Sequence, residues 1–235
     1  MTDTSVLHEV VYQVNEAARL LRLPDKTLRR WLDGDWRHGE FTEPLIRQEA
    51  TGSTDVTWGE FVEAGFLREY RVKRLPIERL RPLLSDLREE LNTPYPLAEG
   101  RPLSRDGRTL LWRLQERHDL DRSLYMVVEG MEAGYQLVLT TVAEEFVDHV
   151  EFDPHVVRPF DKWYPVGRQK SSVVLDPRRA FGLPNIKGVR TEALAELIDA
   201  GESALAVVAA FKPFGVTEAD VREAVVYQHF LLEAA

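Results

Sequence analysis

Apolar residues near the start of the chain recur at the spacing of a helix. Between Val14 and Leu21 they fall at positions i, i+3, i+4 and i+7, which places them on one stripe of a helical surface. Pro24 interrupts this pattern, because the residue before a proline avoids the α region. A second short helix is therefore predicted from about Asp25 to Leu32, after a turn of three to four residues.

The predicted second helix has one apolar side and one basic side. At 100° per residue, the apolar side carries Leu28, Trp31 and Leu32. The opposite side carries three cations, Lys26, Arg29 and Arg30, with Thr27 at the edge. Two short helices, a tight turn and a basic outer face on the second helix are typical of a helix-turn-helix.

Two longer helices are predicted after a polar stretch. Residues 34–58 are polar and contain glycine, which is typical of a hairpin or wing. Thr57 and Glu60 have the spacing of a capping box and predict the start of a third helix. A leucine stripe from Leu80 to Leu91 predicts a fourth helix, which begins or kinks at Pro82.

The rest of the chain changes from short strands to helices. The middle region contains one predicted helix, Thr141–Val150, and four β-prone runs: Leu110–Leu114, Leu124–Val128, Gln136–Thr140 and Val173–Leu175. From Asp176 onward, helix-end signals at Gly201, Ser203 and Thr217 predict three short helices joined by tight turns.

These patterns predict an α+β fold that is mostly helical. Residues 1–96 are expected to form a winged helix-turn-helix, with Asn92–Pro96 as its boundary. Residues 97–175 are expected to form a small β-containing middle module. Residues 176–235 are expected to form a three-helix bundle that is itself helix-turn-helix-like.

Composition narrows the class of protein. The 235 residues include no cysteine, which excludes disulfide scaffolds, cysteine-ligated metals and thiol catalysis. No apolar run approaches the ~20 residues needed to cross a bilayer, and the first residues lack a secretory signal. Glycine-rich nucleotide cradles and serine nucleophile elbows are also absent. The sequence therefore predicts a soluble, cytoplasmic protein that is not an enzyme, with no membrane association, no cofactor and no metal.

Charge is distributed unevenly along the chain. The net charge of −9 argues against nucleic-acid binding, because phosphate contacts need cations. Residues 19–30, however, contain five basic residues and one acid, and residues 68–81 contain six basic residues and two acids, so each segment carries +4. Residues 181–235 carry −4, from four basic and eight acidic residues. This pattern favours a DNA-facing element near the N-terminus and an acidic end suited to a basic partner; the alternative is that these runs are solvated helix faces.

One acidic cluster could in principle serve metal-dependent chemistry. It consists of Glu144, Glu145, Asp148, Glu151 and Asp153, with His149 and His155 nearby. A nuclease would need such groups to converge on a metal ion. The alternative, which we favour, is a solvated face of the helix from Thr141 followed by a turn.

Two sets of motifs resemble known families. Tyr12, Glu16–Ala18 and Leu20–Leu21, followed by Thr27–Trp31, resemble the opening of MerR-like and excisionase-like winged helix-turn-helix proteins. The C-terminal motifs resemble a small helical module of prokaryotic antitoxins; they are Asp176–Pro184, Gly188–Thr191, Ala200–Ser203 and Val221–Val225. In this order, and over nearly the whole chain, the two sets resemble the larger Vap-type antitoxins.

The resemblance implies a function that needs no catalysis. Such antitoxins bind and repress the operator of their own operon, and they bind and neutralise a cognate PIN-domain ribonuclease toxin. A homodimer is expected, because palindromic operators match two-fold symmetry. The residues that bind the toxin are not identified by the sequence.

The candidate DNA-binding residues come from the predicted second helix and wing. Lys26, Arg29 and Arg30, with Thr27 beside them, are expected at the major groove. Candidates for wing contacts to the backbone or minor groove are Arg37, His38 and Arg47. In the alternative interpretation, Arg29 and Arg30 pair with acids such as Asp33, and the fold binds protein rather than DNA.

Two other function classes are open at this point. One is a stand-alone winged-helix transcription regulator whose middle module senses a small molecule. The other is an enzyme, a nuclease that uses the acidic cluster around Asp148.

Overall fold

The computed structural model describes residues 4–37, 39–130 and 136–232, and for Arg37 it describes the backbone alone. Within those residues the fold is α+β, with nine α-helices and four two-stranded antiparallel pairs. The predicted α+β class is thereby confirmed, with about half of the described residues in helices.

The chain divides into two compact units. Unit 1 contains the residues up to Val147 together with Phe152–Phe160, and unit 2 contains Asp148–Glu151 and the residues from Asp161 onward. The three-domain division predicted from the sequence, with boundaries at residues 96 and 175, stays a prediction.

Unit 1 begins with the two short helices that the apolar pattern predicts. They are α1 (Val14–Leu20) and α2 (Asp25–Asp33), and both predictions are confirmed. The pattern missed a strand pair that encloses these helices in the chain. Its first strand, β1 (Val10–Gln13), precedes α1 and pairs with β4 (Asp55–Thr57), which follows α2. Between these strands lies a hairpin made of β2 (Asp35–Arg37) and β3 (Glu40–Thr42).

The two longer helices form where predicted. In α3 (Trp58–Val72), the Thr57 hydroxyl accepts a hydrogen bond from the Glu60 N–H, and the Glu60 carboxylate accepts one from the Thr57 N–H. This reciprocal capping box satisfies two N–H groups that the helix itself cannot pair. In α4 (Arg81–Leu91), Pro82 lies in the first turn, where its missing N–H costs no hydrogen bond.

A buried ion pair joins α3 to α4. Arg88 Nη2 lies 3.5 Å from Glu63 Oε2, and the Leu97 N–H donates to the same carboxylate at 2.9 Å. Both charged side chains are almost completely buried. Burial raises the pKa of Glu63 to about 7, although Arg88 and the Leu97 N–H act in the opposite direction.

One predicted strand in the middle of the chain is wrong. Leu110–Leu114 lies inside a helix, α5 (Arg108–Arg117), which buries Leu111, Leu114 and Gln115. Leu110, Leu111 and Leu114 fit the period of a helix as well as a short apolar strand, so local pattern alone does not separate the two. Tertiary packing favours the helix, because the Gln115 side chain then hydrogen-bonds to the backbone of Met126 and Val127.

The remaining elements of unit 1 follow α5. β5 (Val127–Gly130) pairs with β6 (Gln136–Leu139), and α6 spans Thr141–Asp148. The predicted run Gln136–Thr140 is confirmed as a strand. The predicted run Leu124–Val128 is displaced, because its first residue belongs to a 3₁₀ turn and the strand begins at Val127.

Unit 2 contains the three predicted C-terminal helices. A short hairpin of β7 (Asn185–Ile186) and β8 (Val189–Arg190) leads into α7 (Thr191–Asp199), α8 (Ala204–Ala210) and α9 (Glu218–Leu232). The Ser203 hydroxyl caps α8 by accepting from the Ala206 N–H. Val173–Leu175 forms isolated bridges instead of the predicted strand, with Val174 opposite Asn185.

Candidate functional site

The turn between α1 and α2 fixes how α2 is presented. The Leu23 N–H donates to the Ala18 carbonyl at 2.8 Å, and the Leu23 side chain is buried. Arg22 adopts a φ of 53°, a left-handed conformation that lets the chain reverse over a few residues. Pro24 then precedes α2 and has an extended backbone. The two helices therefore form a tight pair in which α1 packs against the buried face of α2.

The basic side of α2 faces solvent. Leu28, Trp31 and Leu32 are buried, whereas Lys26 and Arg29 are exposed and the Arg30 side chain is 23% exposed. Thr27 is 7% exposed and lies on the packed side rather than beside the cations. The amphipathic pattern thus predicted the two faces correctly, except that the edge residue Thr27 belongs to the core.

The cations of α2 are weakly neutralised. Among the described residues, none forms an ion pair with Lys26 or Arg29, and Arg30 Nη2 lies 3.9 Å from Glu78 Oε1 at an exposed position. Exposed pairs of that length contribute little energy. Asp33, the acid expected to neutralise this helix in the alternative interpretation, is held elsewhere by Arg47, Thr51 and Gly52.

Arg47 is the centre of a buried polar network and not an exposed wing residue. Its side chain is 7% exposed. Nε donates to Glu60 at 2.7 Å, Nη1 to Asp33 at 2.9 Å, and Nη2 to the Asp55 carbonyl at 2.7 Å. Nη1 also donates to the Thr51 hydroxyl at 2.7 Å. The guanidinium therefore ties the end of α2 to β4 and to the start of α3, which leaves it no group with which to contact DNA.

The pKa shifts in this network favour the charged forms. For Arg47, burial lowers the pKa, but Glu60 and then Asp33 raise it by more, so the net shift is upward. For Asp33, burial raises the pKa, while the Thr51 N–H and Arg47 lower it by more, so the net shift is downward. Charged hydrogen bonds thus compensate for the desolvation of both partners.

The β2–β3 hairpin lies within residues 34–58, the stretch that was predicted to form a hairpin or wing. The side chain of Arg37 and the whole of His38 lie outside the described residues, so their predicted DNA contacts stay predictions. The hairpin also carries two exposed aromatic rings, Trp36 at 71% exposure and Phe41, with centroids 5.5 Å apart. Gly34 opens the hairpin with a φ of 77°, a conformation suited to glycine.

A groove beside α2 gathers cations that the sequence did not bring together. This arginine groove has a volume of about 610 Å³ and is lined by Arg22, Leu23, Arg30, Arg68, Arg71, Val72, Arg74, Leu75, Ile77 and Glu78. Five arginines and one glutamate give it a strongly positive character. Arg68 also pairs with Glu69 at 2.6 Å. The +4 charge of residues 68–81 was the sequence signal, but it did not show that this run lies next to Arg22 and Arg30.

Unit 2 carries a different kind of exposed surface. Leu205 on α8 is 68% exposed and Phe214 is 53% exposed, and no charged residue occurs between Ala204 and Phe211. Phe181 is 88% exposed on a turn in which Ala180, Phe181 and Gly182 all have positive φ. Such a conformation is costly for a phenylalanine. These exposed aromatic and aliphatic groups are candidates for contact with a protein partner.

Two members of the acidic cluster bind separate basic or hydroxyl side chains. In unit 1, Glu145 pairs with Lys73 at 3.0 Å. In unit 2, the Glu151 carboxylate accepts from Lys162 at 3.0 Å and from the Tyr164 hydroxyl at 2.9 Å. Within residues 4–37, 39–130 and 136–232, no three His, Asp or Glu side chains converge as a metal site requires. Nor does any helix in these ranges have both the length and the apolar character needed to span a bilayer.

The chain is similar to two known proteins over nearly the whole length of the alignment partners. No family model matches the sequence. The uncharacterized protein Rv2308 of Mycobacterium tuberculosis is 32% identical over 231 residues, which cover 97% of this chain and 93% of the relative. The putative antitoxin VapB45 of the same organism is 30% identical over 226 residues, which cover 91% of this chain and 92% of the relative.

A solved structure agrees with this relationship. The crystal structure of Rv2018 from Mycobacterium tuberculosis has a TM-score of 0.70 and 28% sequence identity, and the match covers 92% of this chain and 98% of that chain. The alignments are nearly end to end, so they include both the N-terminal helices and the C-terminal helices of this protein. The chain therefore belongs to the family of the putative antitoxin VapB45.

Proposed function

We propose that this protein is the antitoxin of a type II toxin–antitoxin system. In this proposal, unit 1 contains a winged helix-turn-helix that binds the operator of its own operon and represses it, and unit 2 binds and neutralises a PIN-domain ribonuclease toxin. The observation that carries the proposal is the near end-to-end similarity to a protein named as an antitoxin. The exposed cations of α2 and the exposed apolar groups of unit 2 supply one surface for each partner.

The DNA-binding surface in this proposal is α2 together with the arginine groove. Lys26 and Arg29 project into solvent from a helix of nine residues, a length that fits the major groove. The arginine groove adds cations suited to phosphate oxygens, which fix the position of the protein without reading sequence. We leave Thr27 and Arg47 out of this surface, because both side chains are buried. A homodimer would place two such helices on the two halves of a palindrome.

Fluorescence anisotropy with DNA from upstream of the gene tests this surface. If Arg29 contacts a base edge, Arg29→Ala is expected to weaken binding by about 1–3 kcal/mol and to relax specificity at one position. Lys26→Ala is expected to weaken binding to all DNA sequences equally. It is also expected to reduce the slope of log affinity against log salt concentration by about 1. The matched control is Arg113→Ala, an exposed arginine on α5 that is expected to change nothing. Equal affinities for all variants at fixed salt would rule out α2 as the DNA-binding element.

The expected dimer has its own test. Sedimentation velocity, with and without the DNA fragment, is expected to give the mass of two chains. A single chain under both conditions would contradict the two-fold arrangement, because one short helix reads too few base pairs for high specificity.

Toxin binding is assigned to unit 2 and is testable through Phe181. Truncating a hot-spot aromatic residue costs about 2 kcal/mol or more at an interface, so if Phe181 is such an anchor, Phe181→Ala is expected to weaken toxin binding by roughly 30-fold or more. Stability should change little, because Phe181 is almost fully exposed. The matched control is Trp36→Ala, which removes a comparably exposed ring from unit 1.

Co-expression with the neighbouring reading frame supplies the assay. Co-purification and growth rescue by the wild type and Trp36→Ala, with reduced rescue by Phe181→Ala, would support the assignment. DNA binding without any toxin partner would instead favour the stand-alone regulator.

A further inference from the structure

Unit 1 contains a second basic recess that shares no residue with the arginine groove. It has a volume of about 440 Å³, within the range typical of small-ligand pockets. Its lining comes from the start of α5 and the residue segment before it, from β6, and from the loop that contains Pro154. The lining residues are Arg105, Arg108, Thr109, Gln136, Leu137, Pro154 and His155. Among the described residues that line the recess, none is acidic.

Arg108 is held in a fixed orientation at this recess. Its Nε donates to the Leu103 carbonyl at 3.1 Å, and its Nη1 donates to the Leu137 carbonyl at 3.0 Å. These two contacts use only part of the donor capacity of the guanidinium. The orientation of the group is therefore set by the fold before any ligand arrives, which reduces the entropy lost on binding.

The positive charge of the recess comes from Arg105 and Arg108. In the described part of the chain, neither Arg105 nor Arg108 forms an ion pair with a carboxylate. Burial and then the nearby Arg105 lower the pKa of Arg108, as expected for two like charges at a partly desolvated site. An anion between the two guanidinium groups would relieve this repulsion.

We propose that this recess binds the phosphate group of a small ligand of about nucleotide size. Two guanidinium groups match a phosphate because their planar donor forks can hydrogen-bond two oxygens at once. Thr109, Gln136 and His155 add neutral or ionisable donors at the same recess. The site is independent of the proposed toxin and operator contacts, since none of its residues takes part in them.

Isothermal titration calorimetry with the full chain tests the proposal. The probes are AMP, inorganic phosphate and adenosine. Saturable binding of AMP or phosphate, with none for adenosine, is expected. AMP binding tighter than phosphate by tenfold or more identifies a nucleotide-like ligand, and equal affinities identify free phosphate. No saturable binding of either anion, or equal binding of adenosine, overturns the proposal.

Variants locate the site. The double variant R105M/R108M is expected to weaken AMP or phosphate binding at least tenfold, and R113M, on the exposed side of α5, is expected to stay within twofold. Because Arg108 also supports the backbone of Leu103 and Leu137, R105M alone is measured as well; its side chain makes no described hydrogen bond, and at least a threefold loss is expected. Equal losses in R105M and R113M would overturn the site. The proposal would also be overturned if the wild type does not bind AMP and the double variant loses affinity for operator DNA, because the recess would then contact DNA phosphate.

Discussion

Replacing Arg47 by methionine should destabilise unit 1 strongly and leave its surface charge pattern almost unchanged. The substitution keeps much of the side-chain volume and removes the ion pairs to Glu60 and Asp33. Removing one partner of a buried ion pair typically costs about 3–5 kcal/mol, because the other charge stays buried without compensation.

The structure places the expected cost near the lower end of that range. Glu60 keeps the hydrogen bond from the Thr57 N–H, and Asp33 keeps those from the Thr51 and Gly52 N–H groups. The Asp55 carbonyl loses its 2.7 Å hydrogen bond from Arg47. We therefore expect Arg47→Met to lower the free energy of unfolding by about 3 kcal/mol.

Urea unfolding followed by tryptophan fluorescence provides the assay. Four of the five tryptophans, Trp31, Trp36, Trp58 and Trp112, belong to unit 1, so the signal reports mainly on that unit. With a slope of about 2–3 kcal/mol per molar urea, the midpoint should fall by about 1–1.5 M. The control Arg29→Met removes an exposed cation without a described ion-pair partner and should change stability by less than about 0.5 kcal/mol. An Arg47→Met midpoint equal to that of Arg29→Met would refute the reasoning.

Three further changes test other parts of the structure. Because burial raises the pKa of Glu63 to about 7, the folded state binds this proton more tightly than the unfolded chain, so stability should fall as pH rises from about 4.5 to 7. The shift corresponds to about 3 kcal/mol, and Glu63→Gln should remove that component from urea midpoints measured across this pH range. Gly34→Ala should destabilise the hairpin by more than about 1 kcal/mol, because the new methyl group would overlap the Thr42 carbonyl at a φ of 77°; amide exchange of β3 that matches the wild type would contradict this. Asp220→Ala should shorten α9 and lower the thermal midpoint of unit 2, because Asp220 accepts hydrogen bonds from Thr217 and Lys187; unchanged helicity by circular dichroism would contradict this.

The elements that the sequence predicted well are those whose signals are local. The stripe of α1, the two faces of α2 and the capping box at Thr57 depend on residues within about one turn of each other, so periodicity and spacing are sufficient. The caps at Ser203 and Thr217 in unit 2 follow the same logic. The basic outer face of α2 is likewise a property of nine consecutive residues.

The features that sequence reasoning missed depend on residues that are distant in the chain. Arg47 lies in a polar, glycine-containing stretch that is typical of a wing. Folding nevertheless places its side chain between Asp33 and Glu60, each more than ten residues away. Leu110–Leu114 is compatible with a strand or a helix until Gln115 meets the backbone of β5. The arginine groove combines Arg22 with Arg71 and Arg74, which no local window contains.

Sequence alone therefore determined most of the helical segments (although not α5), where several of them begin, and that α2 has a cationic outer face. Tertiary structure decided which cations remain available to a partner, because a guanidinium can reach a carboxylate from any part of the chain once the backbone has brought them together. Burial then makes such a pair structural, as at Arg47, whereas exposure leaves a cation free to bind, as at Arg29.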